Sequence, residues 1–186
     1  MTVNSLATGA ELTHETFADF VERLKYHCRG EGVKGHITAE ALFVVQRRRI
    51  ITGIDTDYSD QLCAVDSENE STYFNPVQWW EDLSDEERAE FDANCEAEED
   101  VLFLDLSEDL QWEFIRNQEL TVTGWYEEWE YVNSHFTKEA AESFIARKEH
   151  DYRDGLRIYV EAQIYCWEFN AIKNALMDGL LVLREG

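Results

Sequence analysis

Carboxylates are the one chemically active kind of side chain that this sequence supplies in bulk. The 186 residues carry 40 Asp and Glu against 16 Lys and Arg, a formal net charge of −24. They are crowded rather than spread. Residues 1–54 net +1, and residues 114–186 net −5. Residues 55–113 hold twenty-one acids with Arg88 as their only base, a net −20. Carboxylates in such numbers can shuttle protons, hold hard cations or attract a cationic surface. Pairs that occur everywhere single out no general acid or base, so the first use gains no support from spacing.

Cation binding is weighed at Asp55-Thr56-Asp57-Tyr58-Ser59, where oxygens alternate as at the start of a calcium loop. Asp60 then stands where that loop needs glycine, and Asp66 where it needs glutamate, so a polar turn is expected. His14, His27, His36, His135 and His150 are scattered, without an HExxH or HxH pair. His36, just before an apolar run, reads as a hydrogen-bonded structural group. Cys28, Cys63, Cys95 and Cys166 form no CxxC pair, which leaves a thiolate zinc site without support and points to free thiols in a reducing cytoplasm. No phosphate-binding loop, dinucleotide fingerprint or nucleophile elbow occurs. The expectation is therefore no catalytic residue, no metal and no cofactor.

The remaining use is recognition. A molecule with this field is repelled by DNA, RNA and anionic membranes, so its partner is expected to be a basic, nucleic-acid-binding protein or complex. The residues expected to meet it are Glu81, Asp82, Asp85, Glu86, Glu87, Glu90, Asp92, Glu96, Glu98, Glu99, Asp100, Asp105, Glu108 and Asp109. Like charges at i,i+4 cost a helix roughly 0.2–0.5 kcal/mol each, and an ordinary solvated face interleaves bases to relieve them. Adjacent tryptophans cannot point the same way, so one of Trp79 and Trp80 is expected in the core, with Trp80 joining the interface. Arg47, Arg48 and Arg49 are expected to form salt bridges with the acidic segment.

These side chains need a folded scaffold, and six Trp, eight Tyr and ten Phe argue for one. Helices are predicted at Thr13–Cys28, from Pro76 to near Leu83, from Asp85 to about Glu96, from Ser107 to about Gln118, and after Thr137. Ser84 and Glu87 form a capping box for the third of these. A closing helix is predicted over Trp167–Leu183 with Phe169, Ile172, Leu176 and Leu180 inward. Residues 41–54 read as strand, turn and strand, or as one long strand. Further strands are expected near 61–66, 125–135 and 156–160. Hairpins followed by helices imply an α+β fold, a small antiparallel sheet packed with several helices. One domain over 1–186 is expected, with an acidic helical segment at about 74–118. No apolar run of membrane-spanning length and no signal peptide is visible.

Three stretches together resemble a group of small acidic proteins encoded by bacteriophages and prophages. They are His36-Ile-Thr38 through Ala41-Leu42-Phe43-Val-Val45-Gln46, then Gly53-Ile-Asp55-Thr-Asp57-Tyr58-Ser59-Asp60, then Phe136-Thr137 through Phe144-Ile145 with Arg157-Ile158-Tyr159-Val160 and Trp167-Glu168. They cover about a third of the chain and leave residues 74–125 unmatched. The resemblance implies a phage product acting inside a bacterium. By analogy with other phage proteins of this size and charge, it implies an inhibitor of host defence of the anti-CRISPR or anti-restriction kind, with a CRISPR effector complex foremost as partner. The alternatives are an enzyme that modifies a host component and an adaptor or oligomeric protein that binds through its aromatics.

Overall fold

A computed structural model describes residues 4–184. The fold is α+β, built on a five-stranded antiparallel sheet in the order β3-β2-β4-β1-β5. The strands are β1 (Ala41–Ile54), β2 (Leu62–Asp66), β3 (Ser71–Tyr73), β4 (Thr121–His135) and β5 (Leu156–Ala162). The helices are α1 (His14–Arg29), α2 (Pro76–Asp82), α3 (Asp85–Glu99), α4 (Glu108–Arg116), α5 (Lys138–Lys148) and α6 (Trp167–Met177). Residues 50–128 form one compact unit, and the residues up to Arg49 with those from Trp129 onward form another. The long strands β1 and β4 contribute to both.

In the flanking unit, β1 pairs with β5 from Ala41↔Ala162 to Arg47↔Leu156. This pairing and α5 enclose Ala41, Phe43, Val45 and Ala141, with Ile145, Ile158 and Val160 packed around them. Residues 41–54 are one unbroken strand, which puts Arg47 and Arg49 on the same face at a spacing of two. Both donate to Glu130 on β4, Arg47 Nε at 2.8 Å to Oε2 and Arg49 Nη1 to Oε1. Two of the bridges expected to reach the acidic segment, from Arg47 and Arg49, thus run to Glu130 on the neighbouring strand. Arg49 first and then Arg47 hold the Glu130 carboxyl below its usual range.

α6 departs further from expectation. It stops at Met177, where Gly179 (φ +72°) turns the chain and the N–H groups of Leu180 and Leu181 bond to the Ala175 carbonyl. Its buried residues are Lys173 and Met177, while Ile172 and Leu180 face outward. The inward side is displaced because Lys173 is drawn into the protein by Glu40. The Nζ–Oε2 distance is 2.5 Å, and the ammonium also lies 5.2 Å from the Phe169 ring.

That pair yields an asymmetric expectation. Lys173 is fully buried, whereas the Glu40 side chain is one-third exposed. Glu40→Gln strands a buried ammonium and is expected to cost about 3–5 kcal/mol. Lys173→Met leaves a carboxylate that water can reach and is expected to cost clearly less. Urea unfolding of the two variants checks the order.

Candidate macromolecular interface

The interface residues predicted from sequence lie on α2, α3, α4 and the turns between them, all within residues 50–128. Asn75 caps α2 through the Gln78 N–H, with Pro76 in the first turn. Ser84 caps α3 by accepting from the Glu87 N–H, while Glu87 Oε2 accepts from the Ser84 N–H (2.8 Å) and O–H (2.6 Å). These bonds keep the Glu87 carboxyl below its ordinary value. α3 buries Phe91 and Cys95, four residues apart, holds Arg88 and Asp92 half-buried beside them, and presents its other residues to solvent. It ends at Asp100, in a left-handed conformation (φ +60°).

Beneath these helices lies an aromatic core. Trp79, Phe91, Phe103, Trp112, Phe114 and Ile115 pack with Ala64 and Cys95, and the rings meet edge-on at 4.9–6.2 Å. The burial of Cys95 and Cys63 pushes both thiols up to about 11, so these side chains act as small apolar groups. Trp79 is the core member of its pair. Trp80 is half-buried, with the Arg88 guanidinium 5.1 Å over its ring.

Thirteen of the fourteen predicted carboxylates are exposed. Asp92 is half-buried and accepts from the Phe103 N–H (3.2 Å), which makes it a brace for the following turn. Asp82 accepts from the Tyr73 hydroxyl at 2.6 Å. Arg88 reaches Asp85 at 3.3 Å and donates to the Leu83 carbonyl, so its charge is used at the α2–α3 junction. The unit holds twenty-four acids against Arg88 and Arg116, a net −22. The flanking unit holds sixteen acids and fourteen bases, a net −2. Several charges also oppose local stability: Glu96, Glu98 and Glu99 crowd the end of α3 where the helix dipole is negative, with no base in that turn.

The fold also assembles a feature that spacing did not reveal. Asp60, Glu108 and Asp109 line a cleft of about 380 Å³ together with Phe74, Trp112 and Trp125. Asp60 arrives there because β2 pairs with β4, Leu62 opposite Gly124, and the Trp125 N–H bonds to the Gln61 carbonyl (3.0 Å). Trp125 is fixed through Nε1 to the Leu62 carbonyl and packs on Phe74 at 4.8 Å. Gly124 is required: a Cβ there would lie 2.5 Å from the Ser59 Cβ. Carboxylates lining one cleft with aromatic rings are the chemistry that receives a lysine or arginine side chain. Asp55, by contrast, caps its own turn by accepting from the Asp57 N–H.

The flanking unit has a larger cavity, about 660 Å³, lined by Tyr26, His27, His36 and Phe43 with Glu31, Lys138, Glu139 and Glu142. Its carboxylates are already paired. Glu31 meets Lys34, Glu142 meets Lys138, and Glu139 meets His27 Nε2 (3.0 Å) and Arg23 (3.7 Å). His36 Nδ1 accepts from the Thr38 N–H (3.2 Å), while its buried Nε2 meets no hydrogen-bond partner. Among the described residues, no group of three or more His, Cys, Asp or Glu is arranged to hold a metal, and no helix is long and apolar enough to cross a membrane.

No protein-family profile, no curated protein and no solved structure matches this chain.

Two measurements test these assignments. Glu90 faces Glu86 at i−4 and Glu87 at i−3, so Glu90→Lys turns two repulsions into attractions. It is expected to raise stability by roughly 0.5–1 kcal/mol in urea at low salt. The gain should vanish at 1 M NaCl, where the screening length is about 3 Å. Burial pushes the His36 imidazole below its ordinary 6.5, so the folded chain gives up that proton more readily than the unfolded one. The stability it contributes is present above pH 6.5 and is lost as the pH falls below it. At high salt, the urea midpoint should drop between neutral and mildly acidic pH, and drop less in His36→Gln.

Proposed function

We propose that this chain is a bacteriophage-encoded inhibitor of a bacterial defence system, and that it acts as an acidic mimic of nucleic acid. It occupies the basic nucleic-acid-binding surface of its target in the host cytoplasm and makes or breaks no bond. The observation that carries the reading is the partition of charge, −22 in residues 50–128 against −2 in the rest. Charge that served solubility alone would work equally well spread over both units with bases interleaved. Here it is concentrated in one unit, and at the end of α3 it costs helix stability, on helices held by an aromatic core.

Duplex DNA presents one charge per roughly 1.7 Å of axis, and its protein partners meet it with lysine and arginine. The exposed carboxylates of α2, α3 and α4 offer such a surface a comparable field, which speeds association by steering. The cleft beside Asp60, Glu108 and Asp109 fits one basic side chain of the target. A CRISPR effector complex is the foremost target because of the resemblance to phage proteins. The charge itself specifies only a cationic, nucleic-acid-binding surface.

Affinity capture with the tagged chain from a bacterium carrying active defence systems, followed by titration with the purified target, tests this. The expected result is one-to-one inhibition that nucleic acid relieves by competition. Glu86→Lys, Glu90→Lys and Glu98→Lys together leave the Ser84–Glu87 capping box intact. They should weaken binding about 100-fold or more while the fold survives. Inhibition by substoichiometric protein, or undiminished inhibition by the triple variant, would contradict the proposal.

A further inference from the structure

The cleft beside β2 holds carboxylates that nothing among the described residues answers. The side chains of Asp60, Glu108 and Asp109 are exposed and take part in no hydrogen bond or ion pair there. Their unit has two bases. Arg88 is held by Asp85 and the Leu83 carbonyl, and Arg116 lies at the far end of α4, about 12 Å along the axis from Glu108. Three like charges lining one cleft repel one another, and a cation bound among them relieves that repulsion.

The rings beside them are set in advance. Glu108 and Asp109 stand four and three residues before Trp112, so the first turn of α4 places both on the face of the helix that carries Trp112. Trp112 is only 4% exposed. The Trp125 indole is tied by Nε1 to the Leu62 carbonyl (3.0 Å) and meets Phe74 at 63° between the ring planes. Little side-chain freedom therefore remains to be lost when a ligand enters. The chemistry of the lining separates the cations that could do so. The acids are not arranged as metal ligands, and a hard metal ion gains nothing from indole rings. An ammonium is a compact, strongly hydrated point charge. A guanidinium is planar and more weakly hydrated, stacks on aromatic faces and donates to carboxylates through a rigid fork. Acids brought by two separate elements, together with fixed rings, suit the guanidinium.

We propose that this cleft is a pocket for one arginine side chain of the cationic partner. The proposal rests on the reading of residues 50–128 as the surface that meets such a partner, and it names the residue type and the place where that partner is gripped. The probe is Nα-acetyl-arginine methylamide, whose only charge is the guanidinium, with Nα-acetyl-lysine methylamide as comparison. Followed by the indole N–H signals in NMR, the arginine probe should shift Trp112 and Trp125 saturably and leave Trp80 in place, and the lysine probe should bind several-fold more weakly. Asp60→Asn with Glu108→Gln and Asp109→Asn should remove the shifts. Asp60→Asn alone, outside the helix, should weaken the probe about tenfold and decides the matter if the triple variant misfolds. Glu86→Gln with Glu90→Gln and Glu98→Gln makes the same change of charge away from the cleft and should leave probe binding within about twofold. With the purified target, the cleft variant should bind about tenfold more weakly than this control. Unmoved Trp112 and Trp125 signals, equal binding of the lysine probe, shifts that survive in the cleft variants, or a target that binds the cleft variant as well as the control would each overturn the proposal and leave the charge reading of the unit standing. Target binding unchanged in every variant would overturn both.

Discussion

Twenty-four carboxylates folded into residues 50–128 with only Arg88 and Arg116 among them repel one another, and something that charge does not weaken must oppose that repulsion. The aromatic cluster beneath α2, α3 and α4 does so. Burying a large apolar side chain contributes roughly 1.5–3 kcal/mol, so Trp79, Phe91, Phe103, Trp112 and Phe114 together supply on the order of 10 kcal/mol. Each like-charge helical neighbour costs only a few tenths. The core opposes the repulsion with an interaction that charge does not weaken, and caps at Asn75 and Ser84 and the brace from Asp92 to the Phe103 N–H fix the helices that display the carboxylates.

The flanking unit is organised differently. Its charges are balanced and spent internally: Arg47 and Arg49 on Glu130, Arg29 on Asp178, Arg23 on Asp19, and Lys173 on Glu40. The two units of one chain thus differ in charge: residues 50–128 carry a net −22, and the flanking unit nets −2 with many of its charges paired.

Much of the scaffold was legible in the residues. The signals at Thr13, Pro76 and Ser84-x-x-Glu87 place three helix starts correctly, because capping and first-turn preferences are local interactions between neighbours in sequence, while the Asn75 cap is seen only in the fold. The acidic block read as 55–113 falls inside the unit at 50–128, since charge is a direct property of composition. Three features escaped. The hairpin strand Ser71–Tyr73 is too short to show a period. The face of α6 was misassigned because periodicity counts apolar residues and cannot foresee that Glu40 draws Lys173 inward. The cleft of Asp60, Glu108 and Asp109 over Phe74, Trp112 and Trp125 depends on the β2–β4 register and on Gly124 admitting Ser59, neither of which spacing encodes.

The central claim is that residues 50–128 form a landing surface for a cationic protein, and its most direct test is the salt dependence of affinity for the purified target. If carboxylates take the place of phosphates, the logarithm of the association constant falls steeply and linearly with the logarithm of salt concentration, as it does for nucleic acid on the same surface. The slope should become shallower as acidic residues of α3 are reversed. An affinity that stays flat between low and high salt, with a slope unchanged by those reversals, would contradict the account.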